Sequence, residues 1–224
     1  MFNSGSLQFT IGTKTFNADE NGNTDVLIVV AQGSKNIYEL FQDMFTGNGS
    51  HRVNGYRTND VVWDFYHDIM WGKESDGVNG IMDVIDLHKN YKVILTGHSL
   101  GGAAVNLVAA ELTKTYFGRD NVYCYTFGAI DSIPAANPVS TGYENIHNVY
   151  NWSDTWSPNP EEFGSRLNSG VGSMNGKFGH IDLFDHDFRS ESDKSKAAET
   201  QMIDAVNHAM HNYVAAVYGG EVTH

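Results

Sequence analysis

The chain has 224 residues, of which 14 are Lys or Arg and 27 are Asp or Glu, giving a formal net charge of −13 at pH 7. This charge disfavours nucleic acid and anionic membranes as electrostatic partners, whereas a neutral substrate would not feel it. The length fits one domain spanning residues 1–224 with a full hydrophobic core. The one cysteine, Cys124, excludes an intrachain disulfide and lies in an apolar run typical of a buried strand.

The hydropathy of the chain gives no sign of a membrane span or a targeting segment. No stretch approaches the roughly 20 apolar residues that a span requires, so we expect no stable membrane insertion. The first residues, Met1 to Phe9, lack the basic and apolar regions of a signal peptide. We therefore expect a cytoplasmic protein, or a secreted one whose leader is not part of this sequence. The sequence leaves the oligomeric state open.

Strand-like and helix-like segments alternate along the chain. In chain order the patterns predict a buried strand at 25–31, helices at 36–45, 59–71 and 78–88, a strand at 91–96, a helix at 100–112, and strands at 121–127, 146–150 and 178–184. Strands separated by helices predict an α/β fold, with a mostly parallel central sheet covered by helices on both faces. Ligands of such sheets bind at the carboxyl ends of the strands.

The last third of the chain is less regular. Residues 158–196 are rich in Gly, Ser, Asn and Asp and read as long surface loops, a type that is often functional. Residues 197–218 predict a long helix, or a loop followed by a helix. Its apolar side consists of Met202, Ala205, Val206, Ala209, Met210 and Tyr213.

The most informative motif is Gly97-His98-Ser99-Leu100-Gly101, which lies between a predicted strand and a predicted helix. In that position Gly-x-Ser-x-Gly is typical of a nucleophile elbow, a turn so sharp that larger flanking residues would clash. Such a turn exposes the Ser99 hydroxyl at the sheet edge, close to the positive end of the following helix. The same motif without chemistry would be an ordinary strand-to-helix turn.

The segment from Tyr91 through the elbow to Ala103, together with Tyr125-Thr-Phe-Gly128, closely resembles the class 3 lipases. This family of α/β-hydrolases includes fungal triacylglycerol lipases, plant acyl hydrolases, some feruloyl esterases and many bacterial members. Further similar segments are Val29-Val-Ala-Gln-Gly-Ser34, Val53-Asn-Gly-Tyr56, and Asn151-Trp-Ser-Asp154 followed by Pro158. Gln32 replaces the arginine usual in the family and Asn54 the histidine, changes that bear on substrate positioning rather than on bond breaking.

A serine nucleophile needs a histidine base, and the histidine needs a carboxylate to orient it. In α/β-hydrolases these groups follow in the order serine, acid, histidine. Asp154, at the end of a later strand, matches the family's aspartate, and Asp131 is the alternative. His208 resembles the family's late catalytic histidine, followed in preference by His211 and then His180. The other histidines after Asp154 are His186, in an acidic loop, and His224, at the chain end.

The oxyanion of the tetrahedral intermediate needs preorganised hydrogen-bond donors. One is expected to be the backbone N–H of Leu100, directly after the nucleophile. By resemblance the other is Ser34, through its N–H and its hydroxyl. Residues 36–52 follow this turn, at the place where the family carries its lid. Their sequence fits a lid and a core-facing helix equally well. Tryptophans are candidates for an acyl groove: Trp63, Trp71, Trp152 and Trp156.

We expect neither a cofactor nor a catalytic metal. The glycines of the elbow lack the lysine of a phosphate loop, and His208 with His211 does not match a specific zinc spacing. Residues 180–187 are dense in acids and histidines and leave a structural Ca²⁺ site as an alternative.

These observations predict a serine carboxylester hydrolase that cleaves acylglycerols or short- to medium-chain esters through an acyl-enzyme on Ser99. A neutral lipid or small ester is the expected partner, with at most transient contact with a lipid interface. The enzymatic alternatives are a phospholipase A1 or a feruloyl-type esterase with the same triad. The alternative from another class is an inactive hydrolase fold that serves as a binding module.

Overall fold

The computed structural model describes residues 8–18, 22–34, 51–54, 56–73, 77–89, 91–130, 143–151, 154, 179–184 and 210. Its strands are β1 (Phe9–Ala18), β2 (Gly22–Ala31), β3 (Arg52–Val53), β4 (Tyr56–Arg57), β5 (Tyr91–His98), β6 (Val122–Phe127), β7 (Ile146–Asn151) and β8 (Gly179–Phe184). Its helices are α1 (Asp60–Trp71), α2 (Ile81–Val84) and α3 (Ser99–Glu111), and α3 continues into a π-helical turn at Leu112–Tyr116. A 3₁₀ turn at Arg119–Asn121 leads into β6.

The main sheet has the strand order β1-β2-β5-β6-β7-β8. Strands β2, β5, β6, β7 and β8 are parallel, and β1 pairs antiparallel with β2. The predicted α/β fold with a mostly parallel sheet is thereby confirmed. The hairpin partner β1 was not predicted, although Phe9-Thr10-Ile11-Gly12 begins with the apolar-polar alternation of a strand.

The helix predicted at 59–71 forms as α1, because the Asn59 side chain caps it by accepting a hydrogen bond from the Val61 N–H at 3.0 Å. The helix predicted at 78–88 is wrong in length, since α2 ends at Val84 and Ile85 is extended. Beyond it the Asp86 carboxylate accepts a hydrogen bond from the His88 N–H at 3.0 Å and so favours a turn. The predicted helix 36–45 lies outside the described residues, and so does 197–218 except for Met210, which is helical.

The hydrophobic core lies between one face of the sheet and the helices α1 and α3. That face carries Leu27, Val29, Val93, Leu95, Val122 and Cys124, all fully buried. Cys124 is a free thiol in this core, as predicted. Helix α3 is buried along its whole length from Ser99 to Ala110, so it is the central helix of this layer. Within the described residues, no helix is long and apolar enough to cross a membrane.

The strand register aligns the carboxyl ends of the central strands. Ala31 pairs with Gly97, His98 pairs with Phe127, and Phe127 pairs with Val149. The residues that follow β2, β5, β6 and β7 therefore emerge at one edge of the sheet, where ligands of parallel sheets bind.

Candidate active site

Ser99 occupies a strained turn between β5 and α3. Its backbone has φ = 54°, in the left-handed region that non-glycine residues rarely adopt. The preceding residue, His98, is still extended at φ = −119°, so the chain reverses within a single residue. Strained backbone of this kind is concentrated at functional sites because the surrounding structure must enforce it. The predicted nucleophile elbow thus has the expected backbone geometry.

The glycines that flank the elbow are required by close backbone contacts. A Cβ on Gly97 would lie 2.6 Å from the Gly101 carbonyl oxygen, and a Cβ on Gly101 would lie 2.5 Å from the Ala31 carbonyl oxygen. A Cβ on Gly102 would lie 2.9 Å from the Ala129 Cβ. Strand β5, helix α3 and the turn after β2 can therefore approach this closely only where side chains are absent.

The turn after β2 lies directly against Ser99. A Cβ on Gly33 would lie 2.9 Å from the Ser99 Cβ and 3.0 Å from His98 Nδ1. Ser34 is the next residue and is half-buried, and Leu100 is fully buried at the start of α3. Both predicted oxyanion donors thus belong to segments that flank Ser99. Gln32, exposed in the same turn, donates its backbone N–H to the Gln8 carbonyl at 2.8 Å.

The residues after β6 pack against the elbow from another side. The Ile130 N–H donates to the Ser99 carbonyl at 3.4 Å, and the Gly128 N–H donates to the Val149 carbonyl of β7 at 3.0 Å. Gly128 has φ = 53°, a conformation that suits glycine. The segment after β6 therefore connects Ser99 to β7, the strand that precedes Asp154.

The Ser99 side chain is buried, with 1% of its area exposed, and its Oγ has no hydrogen-bond partner among the described residues. A buried hydroxyl without a partner is costly, and such groups are characteristic of catalytic sites. The expected exposure of the Ser99 hydroxyl is therefore not observed in this conformation, because the residue is covered.

Asp154 lies three residues after the end of β7 and is 2% exposed. Since β6 separates β5 from β7, the two strand ends are about 10 Å apart at roughly 4.8 Å per strand. The alternative acid, Asp131, lies outside the described residues.

Of the predicted bases, the structure describes only the backbone of His180. This residue lies on β8 and pairs with Asn148 of β7. Strand β8 is the third strand from β5, about 14 Å away at the spacing of parallel strands. His186, His208, His211 and His224 lie outside the described residues.

A buried polar cluster links the nucleophile helix to the strand that leads to Asp154. Asn106 on α3 donates from Nδ2 to Asn148 Oδ1 on β7 at 2.7 Å, and the Thr126 hydroxyl on β6 donates to the same oxygen. All three residues are fully buried. Sequence reasoning missed this cluster, and its only signal was an asparagine in the middle of an apolar helix.

The described residues include two of the four candidate tryptophans and part of the candidate Ca²⁺ segment, residues 180–184. Trp63 packs against the core, and its ring stacks on the His51 ring with 3.8 Å between the centroids. Trp71 is 43% exposed. Trp152 and Trp156 lie outside the description, as does most of the predicted lid at 36–52. Within the described part of the chain, no three His, Cys, Asp or Glu residues are grouped to bind a metal.

Comparison with known proteins adds to this geometry. The sequence profile described as Lipase (class 3) matches residues 28–154, which is more than half of the chain. The chain belongs to the class 3 lipase family. The matched range extends from within β2 through the elbow to Asp154, so it includes the carboxyl ends of β2, β5, β6 and β7.

Among curated proteins, the chain is 30% identical to a lipase of Rhizomucor miehei over 105 residues. That match covers 46% of this chain and 28% of the relative, well under two thirds of its length. Among solved structures, a lipase from Rhizopus microsporus var. chinensis has a TM-score of 0.47 at 18% identity, covering 75% of this chain and 68% of the other. The triacylglyceride lipase of Rhizomucor miehei has a TM-score of 0.45 at 23% identity, covering 69% and 61%.

Proposed function

We propose that this class 3 lipase is a serine carboxylester hydrolase that acts on acylglycerols or on short- to medium-chain esters. The observation that carries the proposal is Ser99, a buried serine in left-handed backbone conformation whose hydroxyl lacks a partner among the described residues. Family membership over residues 28–154 supports the same reaction class.

In the proposed reaction, Ser99 Oγ attacks the carbonyl carbon of the ester while its proton passes to the imidazole of His208. The carbonyl electrons form an oxyanion that the Leu100 and Ser34 backbone N–H groups stabilise. When the carbon–oxygen bond to the alcohol breaks, His208 returns the proton to the departing alcohol. A water molecule then attacks the acyl-enzyme by the same route and releases the acid. Asp154 orients His208 and stabilises its protonated form.

Covalent labelling with a fluorophosphonate probe tests the nucleophile without assuming a substrate. We expect the wild-type protein to be labelled at Ser99, and Ser99→Ala to retain its fold and lose both labelling and nearly all ester hydrolysis. Absence of labelling in folded wild-type protein would contradict the proposal and favour an inactive binding module.

Histidine variants test the assignment of the base. His208→Ala should reduce turnover about as strongly as Ser99→Ala, because triad members act as a unit. His211→Ala and His180→Ala should retain most activity, and for His180 the distance of β8 from β5 supports this expectation. Loss of activity in His211→Ala, with His208→Ala still active, would transfer the role to His211.

Two substitutions of Ser34 distinguish the contribution of its hydroxyl to oxyanion stabilisation from that of its backbone N–H. Ser34→Ala should lower kcat about 10- to 1000-fold if the hydroxyl donates, and should be nearly silent if only the N–H donates. Ser34→Pro removes the N–H and should abolish activity in protein shown to be folded. A folded and active Ser34→Pro variant would mean that the second oxyanion donor lies elsewhere.

The substrate class and the mode of access can be measured together. p-Nitrophenyl esters of increasing chain length, assayed beside phosphatidylcholine and methyl ferulate, distinguish an esterase or lipase from a phospholipase A1 and a feruloyl-type esterase. Because residues 36–52 are short for a lid, we expect the rate to follow dissolved substrate smoothly through the solubility limit. A sharp rise once droplets form would instead indicate interfacial activation, in which an apolar lid face binds the droplet.

A further inference from the structure

The turn after β2 lies beyond the strand pairing, so other contacts must hold it in place. Strand β2 ends at Ala31, which pairs with Gly97 of β5. On the side of β1, the Gln32 N–H donates to the Gln8 carbonyl at 2.8 Å. The candidate oxyanion donor Ser34 follows two residues later. The contacts that hold the turn on the side of β5 therefore also fix this donor.

On the side of β5, the turn lies against His98. A Cβ on Gly33 would lie 3.0 Å from His98 Nδ1 and 3.0 Å from the His98 carbonyl oxygen. It would also lie 2.9 Å from the Ser99 Cβ. Gly33 therefore packs against both the backbone and the imidazole of the residue that precedes the candidate nucleophile. This contact is one residue away from Ser34.

The alternation of β5 explains why the imidazole reaches the turn. Val93 and Leu95 are fully buried on the core face of the strand, whereas Ile94 and Thr96 are less buried and point to the other face. His98 has the same parity as Ile94 and Thr96, and it is half-buried. Its side chain therefore leaves β5 on the face away from α3, at the last position before the elbow.

Oxyanion donors stabilise a transition state only when they are positioned in advance. A donor must lie about 2.7–3.1 Å from the place where the oxyanion forms, and a displacement of about 1 Å can lower the rate about 10²-fold. The backbone beyond Ala31 is not held by the parallel pairing with β5, so that pairing does not supply this precision. A planar ring against Gly33 limits the movement of the turn toward β5.

We propose that His98 is a positioning residue for the oxyanion hole. Its imidazole, packed against Gly33, holds the Ser34 N–H where the oxyanion of the tetrahedral intermediate forms. In this role His98 contacts neither the ester nor the proton in transfer, and it acts through the turn. The inference rests on the proposed function, because it requires Ser99 as nucleophile and Ser34 as donor.

Substitutions of His98 test this role with a conservative variant beside a disruptive one. His98→Ala removes the ring and should lower kcat about 10- to 100-fold with KM unchanged, because only the transition state needs the donor in place. His98→Asn keeps a planar group with atoms at the δ positions and should retain kcat within about threefold of wild type. Thr96→Ala, two residues earlier on the same face of β5, is the matched control and should leave both constants unchanged.

Inhibition by a trifluoromethyl ketone is a readout that a merely structural role would not move. The serine hydroxyl adds to this ketone and forms a tetrahedral adduct that carries an oxyanion. Its Ki should therefore rise in His98→Ala by the factor by which kcat/KM falls, and should stay near the wild-type value in His98→Asn. A smaller folded fraction would lower the apparent kcat but leave Ki unchanged. Urea unfolding of each variant measures stability separately, and His98→Ser replaces the alanine variant if that one does not fold.

Three outcomes would overturn the proposal. They are wild-type kcat in folded His98→Ala, equal losses in the alanine and asparagine variants, and a kcat loss without a rise in Ki. A loss in His98→Ala as complete as that in Ser99→Ala would also contradict it, since His98 would then take part in proton transfer. Failure of the proposed function would look different, because the wild-type protein itself would neither hydrolyse esters nor react with the fluorophosphonate probe.

Discussion

Ser99 and Asp154, the candidate nucleophile and acid, follow strands whose carboxyl ends lie at the same edge of the sheet, but their surroundings differ. Around Ser99 the backbones of β5, α3 and the turn after β2 are in direct contact, and Gly33, Gly97 and Gly101 make this possible. Asp154 lies three residues after the end of β7, and no glycine stands within five residues of it in the sequence.

The difference is that the candidate nucleophile lies in a turn built from close backbone contacts, whereas the candidate acid is positioned through the pairing of sheet strands. The conformation of Ser99 depends on the neighbouring glycines Gly97 and Gly101 and on the close approach of the turn after β2. The position of Asp154 depends on the register of β6 with β7 and on the buried contact between Asn106 and Asn148. Substitutions around Ser99 and around Asp154 should therefore differ in how they affect activity and unfolding free energy.

The largest expected effect concerns the acid. Asp154→Asn should lower kcat by about 10³- to 10⁴-fold, because a neutral amide cannot stabilise the protonated histidine or hold its tautomer. Its stability should change far less than its activity, as judged by urea unfolding beside steady-state kinetics. Asp120→Asn, a change at an exposed carboxylate, is the matched control and should leave kcat unchanged. If Asp154→Asn kept near wild-type kcat, Asp131 would become the candidate acid.

The next effect concerns the packing of the elbow. Gly101→Ala places a Cβ against the Ala31 carbonyl, so we expect a loss of about 1–3 kcal/mol in unfolding free energy together with a large loss of activity. In an ordinary helix position the same change would stabilise the protein by about 1 kcal/mol. Gly12→Ala on β1 meets nothing within 4 Å and is the control. Equal urea midpoints for the two variants would show that the elbow is looser than these contacts require.

A double-mutant cycle at Asn106 and Asn148 tests how the two regions are connected. Asn148→Leu removes the acceptor of the buried Asn106 amide, and Asn106→Leu removes one of the two donors to Asn148 Oδ1, so each change should cost about 1–3 kcal/mol of unfolding free energy. The double variant should cost less than the sum of the two, by about 0.5–3 kcal/mol. If the cluster also positions the catalytic groups, turnover per fluorophosphonate-labelled site should fall in parallel. If the changes in unfolding free energy were additive and turnover were unchanged, the pair would neither be coupled nor position the catalytic groups.

The smallest effect isolates backbone strain at the nucleophile. Ser99→Gly and Ser99→Ala both remove the hydroxyl, but only alanine keeps a Cβ in the left-handed conformation. Ser99→Gly should therefore be the more stable of the two by about 1 kcal/mol in urea unfolding. Greater stability of Ser99→Ala would mean that the turn relaxes when the hydroxyl is removed.

The sequence by itself determined the local features. The elbow was predictable because Gly97, Ser99 and Gly101 act within one turn, and the strands were predictable from their apolar runs. The length of α2 was predicted wrongly because the Asp86 turn competes with helical spacing. Strand β1 was missed because its alternation is weak without its partner β2.

Only the tertiary structure decided which distant residues come together. The contact of Gly33 with Ser99 and the three-strand separation of His180 from β5 follow from strand order and register, which no local pattern encodes. The same holds for the bond between Asn106 and Asn148, whose partners lie 42 residues apart. A turn is specified by the conformational limits of a few residues, whereas a site is specified by the way whole strands pack.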